Sequence, residues 1–505
     1  MIVELTIVGA ALGVFVMVAM AVTSRQKKKA PPGPRGLPFF GKVFALDPNT
    51  IHLDFTEWKA NYGDIVMTKM SGKNVLVLNS LEAIRAAFEK EDCAPYMSDR
   101  PLNFIGEKIM YGYKEVLLRR YDDEFKKLKP LMMRGLDKHG FQSAHFRKLM
   151  KEEIDHVTSK FSATNGKSAD PVEILMPSFC NIIGMIFTGE RVEDNHHFLK
   201  TLSNFEHYGD KMIQPQVHGV YKLFPWIRHC PCYHGQLYCK VTEIREQLYD
   251  YLVNDVKRYD ANNVNCFIHE MTKEQEAGSG SEEFHLTDEH IVAMVMDLIN
   301  TSVLTTKALI SGFIFLMLHF PEVQAKLQKE IDSVIGEKRS PELEDMTSMP
   351  YMRACIQEVL RFQSHLPLTA PHANLTTEVD LEGYHIPQNT IIFANIFAVH
   401  HDDQLWDDPW SFCPERFLDD DGQFVSSDHP SRKNMIPFGI GRRVCVGKEM
   451  TYLRAFTYMT NLLQNFSFKM ADGDELPSSD PRKLQGQNPV ILPQPYKCMV
   501  TKRAS

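Results

Sequence analysis

Phe438-Gly439-Ile440-Gly441-Arg442-Arg443-Val444-Cys445-Val446-Gly447 is the most informative stretch of the chain. Gly439, Gly441 and Gly447 permit backbone conformations that a Cβ resists. Cys445 sits among them, and a helical pattern runs on from Lys448 to Leu463. Amides at the start of a helix, with Arg442 and Arg443 adjacent, favour a thiolate over a thiol. A lone cysteine is usually an inert buried thiol. An inert one needs neither the glycines nor the arginines, so the loop predicts a cysteine used for chemistry.

Upstream, helical patterns dominate. Met352 to Phe362 reads as a helix carrying Glu358 and Arg361, three apart and so on one face. Thr287-Asp288-Glu289 supplies an N-cap and first-turn acids. The apolar run Ile291 to Leu318 follows. Asp297, Asn300, Thr301, Ser302, Thr305, Thr306 and Lys307 interrupt that run. Such groups are costly against lipid, so a long helix through a protein core is expected rather than a membrane span. Pro321 ends it, and Val323 to Ile335 reads as a further amphipathic helix. Strands are expected at Ile65–Thr68, Asn74–Leu78, Val379–Ile386 with a turn at Gly383, and Thr390–Ala398. The expected class is mainly α with a smaller β portion.

The amino terminus reads differently. Ile2 to Val22 is almost wholly apolar and is followed by Arg25, Lys27, Lys28 and Lys29. Roughly 20 apolar residues span a bilayer core, and the basic flank marks the cytoplasmic side. Residues 1–24 are therefore expected to be one transmembrane signal anchor. A cleaved signal peptide is the rival reading, but neither its charged leader nor its cleavage site is clear. Residues 25–38 form a basic, proline-rich hinge, and residues 39–505 the remaining globular unit. The net charge of −8 disfavours a nucleic-acid binder, whose footprint is strongly basic. Ten cysteines in 505 residues are too sparse for a disulfide scaffold.

With these motifs in place, the sequence resembles the cytochrome P-450 family. The Cys445 loop matches the family's Phe-x-x-Gly-x-Arg-x-Cys-x-Gly haem signature at every specified position. Glu358-Val359-Leu360-Arg361 matches its Glu-x-x-Arg helix, and Pro414-Glu415-Arg416-Phe417 the element that follows. From Pro371-His372 through His400-His401 to the haem loop, the chain looks most like the animal microsomal group that includes steroid 17-hydroxylases.

The resemblance implies the cytochrome P-450 fold behind one N-terminal transmembrane helix, and it implies residue roles. Cys445 would be the axial ligand of haem b iron, with Phe438, Gly439 and Gly447 shaping its loop. Glu358, Arg361 and Arg416 would form a buried structural network. Arg443 and His372 would meet the haem propionates. Phe125 and Lys129 stand where a Trp-x-x-x-Arg pair is usual. Lysine keeps the charge but loses the bidentate fork, so haem retention is expected to depend more on Arg443 and His372.

The long helix departs from the family pattern. Its small-residue pair becomes Thr301-Ser302 and its acid becomes Leu304, while the threonine survives as Thr305. Leucine cannot carry a proton, so another group or a water chain must do so. Thr305 and Ser302 become the candidate catalytic residues, with Thr301 and Asn300 as further candidate donors. Bonding to helix carbonyls is the alternative role for Ser302, Thr301 and Asn300.

The resemblance implies a monooxygenase acting on a lipophilic small molecule: steroid, fatty acid, terpenoid or xenobiotic. Electrons would come from NADPH through a separate flavoprotein reductase, with a small cytochrome b as a further donor. A basic patch of Arg119, Arg120, Lys126, Lys127, Lys129, Arg432, Lys433, Arg442 and Lys448 would face that partner. No nucleic-acid partner is expected. The expected location is the endoplasmic reticulum membrane, single-pass, with the catalytic part cytosolic. The missing acid keeps open a haem-thiolate isomerase or dehydratase acting on a lipid hydroperoxide or endoperoxide. A haem-binding protein without turnover is a third reading.

Overall fold

The computed structural model describes residues 29–36, 41, 46–194, 196–257, 265–278, 284–471, 473–487 and 489–503. The expected anchor, residues 1–24, lies outside the described residues. The described part of the hinge is not a free connector. The Met67 amide donates to Pro32 O at 2.9 Å, and the Thr68 hydroxyl to Pro34 O at 2.9 Å. The proline run, poor in amide donors, supplies acceptors to the sheet it lies against.

Helices predominate and strands are short, as the patterning predicts. Four strands make the largest sheet: β1 (Ile65–Met70), β2 (Lys73–Leu78), β3 (His372–Ala373) and β4 (Ile391–Ala394). Their order is β1-β2-β4-β3. β2 and β4 run parallel, with Val75 opposite Ile391 and Leu78 opposite Ala394. Val379–Leu381 and Tyr384–Ile386 form the expected hairpin across Glu382 and Gly383, both at positive φ, as a tight turn of this kind requires. One strand is shorter than expected. β4 stops at Ala394, and Ile396–His400 is a helix whose N-cap, Asn395, accepts from the Ala398 amide. The apolar run Ile396 to Val399 is buried whole, so alternation gave no sign of the change.

Five helices position the site: α1 (Asp123–His139), α2 (Pro171–Thr188), α3 (Asp288–His319), α4 (Pro350–Gln363) and α5 (Lys448–Asn465). α3 is the 32-residue axis of the molecule. Its amino end closes as expected at Thr287, whose amide donates to His290 Nδ1 at 3.1 Å. α2 and α3 are long and apolar enough to cross a bilayer, but both are mostly buried inside the fold, so they serve as core helices. Phe313, Ile314, Phe315 and Leu316 are fully buried in the main hydrophobic cluster.

α4 carries the Glu358–Arg361 pair, and both side chains are 0% exposed. Arg361 Nε and Nη2 donate to the two Glu358 oxygens at 2.7 and 2.8 Å. Nη1 donates to His400 O and Pro409 O, each at 2.8 Å, and Nη2 also to Ser411 O at 3.1 Å. All five guanidinium N–H groups are thus used. Arg416 stands further off, with Nε 3.5 Å from Glu358 Oε1. It donates instead to the carbonyls of Asp408 and Ser411 at 2.6 and 3.3 Å. The three residues do come together, but as one tight pair with Arg416 bracing the adjoining loop.

Breaking a buried pair leaves an uncompensated charge and costs about 3–5 kcal/mol. Glu358→Gln should therefore lower thermal stability sharply, read by circular dichroism melting. A melt like that of the wild type would show that the pair does not hold the fold.

Candidate active site

The cysteine loop hangs between the α4 network and α5. His400, whose carbonyl binds Arg361, also reaches the loop: the Ile436 amide donates to His400 Nε2 at 3.2 Å. His400 Nδ1 lies 2.8 Å from Ser364 Oγ. Burial holds the imidazole pKa well below its usual value. The ring is therefore neutral, with its proton on Nδ1 and Nε2 free to accept. Within the loop, the Cys445 amide donates to Phe438 O at 3.0 Å. Gly441 has φ of 72°, and a Cβ there would meet Phe88 O at 2.2 Å. Only glycine fits that approach.

Lys129 closes the loop from α1. Its ammonium donates to Arg442 O at 3.0 Å and Val444 O at 3.1 Å. It thus holds the peptide groups immediately before the cysteine. The arginines do not embrace the thiol as the sequence suggests. Arg442 turns to Tyr121 OH and Glu91, at 2.8 and 2.9 Å. Arg443 donates to the carbonyls of Ser98, Val116 and Arg119 at 2.8, 3.1 and 2.5 Å. The Cys445 thiol is itself exposed, yet desolvation by the protein around it raises its pKa, against the opposing pull of the Gly447 amide and the ammoniums of Lys129 and Lys448. A metal ion at the thiol would favour the thiolate.

Phe125 is buried, and the Arg443 guanidinium lies over its ring, 3.8 Å from the centroid. It contributes a cation–π face where an indole would have offered a donor. His372 is buried beside Phe88, with ring centroids 4.2 Å apart. Its Nδ1 lies 3.3 Å from Met97 O. Burial and the nearby guanidiniums of Arg100 and Arg443 hold it neutral. The carbonyl can only accept, so the proton sits on Nδ1, and Nε2 is left as an acceptor.

Arg100, missed in the sequence, is the second guanidinium of this group. It is buried and donates to Leu117 O at 3.0 Å, Ala370 O at 2.7 Å and Pro371 O at 3.0 Å. Neither Arg100 nor Arg443 makes a carboxylate hydrogen bond among the described residues. Each depresses charge on its neighbours, and Asp297 is the acid that opposes Arg100. In the sequence Arg100 is a lone loop arginine, which reads as a surface charge.

The donor set fits haem. An accessible thiol can take the iron, and two buried guanidiniums can face the two propionates. In such an arrangement Arg100 and Arg443 would carry the charge, since each keeps N–H groups beyond those given to backbone carbonyls, whereas neutral His372 presents only an acceptor.

α3 supplies the opposite chemistry. Asp297 is buried, and its Oδ2 accepts from the Val116 and Leu117 amides, each at 2.8 Å. Thr301 donates to Asp297 O at 2.7 Å and Thr305 to Thr301 O at 2.6 Å. Both hydroxyls back-bond to the helix. Thr301 is exposed and Thr305 partly exposed on a helix otherwise mostly buried. Ser302 meets a cation: its hydroxyl oxygen accepts from Arg454 at 2.8 Å. That contact orients the oxygen and leaves the hydroxyl proton available to donate. Leu304 packs with Ala308, Val490, Leu492 and Leu366 and makes an apolar wall.

Lys129→Met should leave the Arg442 and Val444 carbonyls without their partner, at a cost of about 1–3 kcal/mol. A lowered melting temperature, with Lys129→Arg closer to the wild type, is the expected result. Equal melts for all three would show that the clamp contributes nothing.

Comparison with known proteins agrees with this geometry. The model of the cytochrome P450 family matches residues 31–500. Cytochrome P450 2D20 of Mesocricetus auratus is 30% identical over 485 residues, which cover 94% of each chain. Cytochrome P450 2J1 of Oryctolagus cuniculus is 30% identical over 92% of this chain and 90% of its own. Cytochrome P450 2D6 of Pan troglodytes is 30% identical over 92% and 93%. These relatives carry 2D and 2J names, so the expected grouping with steroid 17-hydroxylases is not supported. Matched across nearly its whole length, the chain belongs to the cytochrome P450 family, which implies haem iron and haem-thiolate monooxygenase chemistry.

Proposed function

We propose that this chain inserts one oxygen atom from dioxygen into a lipophilic substrate, using electrons from NADPH delivered by a flavoprotein reductase. Steroid, fatty acid, terpenoid and xenobiotic substrates all match the apolar wall of Leu304, Leu366, Val490 and Leu492. The carrying observation is Thr305. It keeps a hydroxyl at a partly exposed position of α3, two turns beyond the buried acid Asp297.

Haem, when bound through Cys445, supplies the iron at which dioxygen is reduced. The chain's own residues do the rest. Thr305 gives its proton to Thr301 O but keeps lone pairs that can accept from water. It therefore orients a water as proton donor, the task the acid performs elsewhere in the family. Leu304 and its apolar neighbours exclude other water. Arg100 and Arg443 would hold the carboxylates of the bound cofactor.

A second reading, isomerase or dehydratase of a peroxide lipid, draws support from Leu304, which makes the distal wall apolar where an acid is usual. Such a substrate brings its own O–O bond and needs no relay.

We place the protein in the endoplasmic reticulum membrane. The surface offers a matching feature: Leu223, Phe224 and Trp226 are 66%, 48% and 62% exposed, next to the helix Pro215–Leu223. An exposed apolar cluster of this kind suits a bilayer face, and Trp prefers the interface. For the reductase, the basic patch is less one-sided than the sequence suggests. Lys126, Arg442 and Lys433 pair with Asp123, Glu91 and Asp428 at 2.8, 2.9 and 3.2 Å. Steering by net charge is correspondingly weaker.

Reductase-driven NADPH oxidation with an oxygenated product tests the main reading. Activity on a hydroperoxide without reductant would establish the second instead. Cys445→Ser should lose the red-shifted ferrous–carbonyl Soret band; its persistence would refute the ligand assignment. Thr305→Val should keep haem while product per NADPH falls about tenfold or more and peroxide rises. Unchanged coupling would remove Thr305 from the relay. In proteoliposomes, brominated lipid tails should quench the wild type more than Trp226→Phe. Equal quenching would place this cluster away from the bilayer.

A further inference from the structure

Arg454 is a buried cation that the chemistry above leaves unused. It lies on α5, nine residues after Cys445, and is 4% exposed. Nη1 donates to Ser302 Oγ at 2.8 Å and to Thr306 Oγ1 at 2.5 Å. Nη2 reaches Met450 Sδ at 3.3 Å. No carboxylate pairs with it among the described residues, and its Nε is buried without a partner. A charge in such a place is costly unless its hydrogen bonds are met, so its contacts are demanding ones.

The acceptors are informative. Ser302 and Thr306 lie one turn apart on α3 and bracket Thr305. They sit on the flank of the helix, while Thr301 and Thr305 bond along the helix to Asp297 O and Thr301 O. Four hydroxyls within six residues are thus sorted into two sets. One set is fastened to α5, and the other is left on the partly exposed side. A hydroxyl free to turn could bond a helix carbonyl on its own flank and bend the turn. Arg454 instead draws the oxygens of Ser302 and Thr306 toward α5.

We infer that Arg454 is a positioning residue: it fastens the Thr301–Thr306 turn of α3 to the helix that follows Cys445, and so fixes where Thr305 holds its water. Ser302, read from sequence as a candidate proton donor, is here one end of that tie. The tie makes one rigid unit of the helix carrying the proton-handling hydroxyl and the helix leaving the ligand loop. The inference rests on the monooxygenase reading for its consequence in turnover, but not for its structural content.

The test uses the full chain as Arg454→Met, Arg454→Lys, Ser302→Ala/Thr306→Val, and the last combined with Arg454→Met. Backbone amide exchange of the Thr301–Thr306 turn and the C–O stretch of the ferrous carbonyl adduct are read alongside coupling. Arg454→Met should speed exchange in the turn, shift the stretch, and raise the peroxide fraction about twofold or more. Arg454→Lys, with its charge kept, should recover part of each. The double hydroxyl variant strands the guanidinium and should melt lower than the combined variant, because apolar groups on both sides remove the unmet donor.

A fall in melting temperature with exchange and stretch unchanged would overturn the inference and leave Arg454 as packing. So would strictly additive effects of the two sets of substitutions. Should Arg454→Met fail to fold, Ser302→Ala/Thr306→Val still decides, through exchange and the stretch. Absence of NADPH-driven product in every variant and the wild type would count against the monooxygenase reading alone, because exchange and the stretch need no turnover.

Discussion

Arg361 spends all five of its donors inside the protein, on Glu358 and on the carbonyls of His400, Pro409 and Ser411. Burying a guanidinium to that degree is costly, and here every N–H is met and a carboxylate is at hand. Meeting those N–H groups fixes two separate segments, His400 and the Pro409–Ser411 loop, against α4 at once. His400 then passes the constraint on, because its neutral ring accepts from the amide of Ile436. The strand-to-helix switch at Asn395 belongs to the same arrangement, since it delivers His400 to this point. The cysteine loop is thus held from behind by a chain of buried, mutually bonded groups.

A second hub is the segment Val116–Arg119. Its carbonyls receive Arg100 and Arg443, and two of its amides are received by Asp297 on α3. A loop without regular structure is thereby ordered by side chains from three elements. The same contacts bring two buried guanidiniums near each other, with Asp297 opposing Arg100 and Asp99 and Asp122 opposing Arg443. Site and scaffold are therefore not separable here: the groups that suit a cofactor's acids also order the loop that borders it.

α3 shows how a core helix carries polar groups without instability. Each hydroxyl near its middle has an identified acceptor or donor. Thr301 and Thr305 bond back along the helix, and Ser302 and Thr306 bond outward to Arg454. Asp297 is satisfied across the interface by amides rather than by a cation. Leu304 then completes an apolar wall with residues far away in sequence, Leu366, Val490 and Leu492. The helix thereby combines an apolar face with exposed and partly exposed hydroxyls at Thr301 and Thr305.

Much of this was legible in the chain. The glycines of the loop announce backbone that a Cβ resists; Gly439 and Gly441, at positive φ, bear that out, whereas Gly447 takes an ordinary φ of −92° with room for a Cβ. The Glu358–Arg361 spacing places the pair on one face because helical geometry is local. The length of α3 and its cap follow from local pattern as well. What the sequence could not display is the partner of a long side chain. Arg100, Arg443, Lys129 and Arg454 look alike in one dimension, as basic residues in loops or amphipathic helices. Only the packed structure shows that the first two stand together, that Lys129 holds loop carbonyls, and that Arg454 binds hydroxyls from another helix. The physical reason is reach: backbone conformation is set within a few residues, whereas a guanidinium or ammonium finds its acceptor across segments that the tertiary fold brings together.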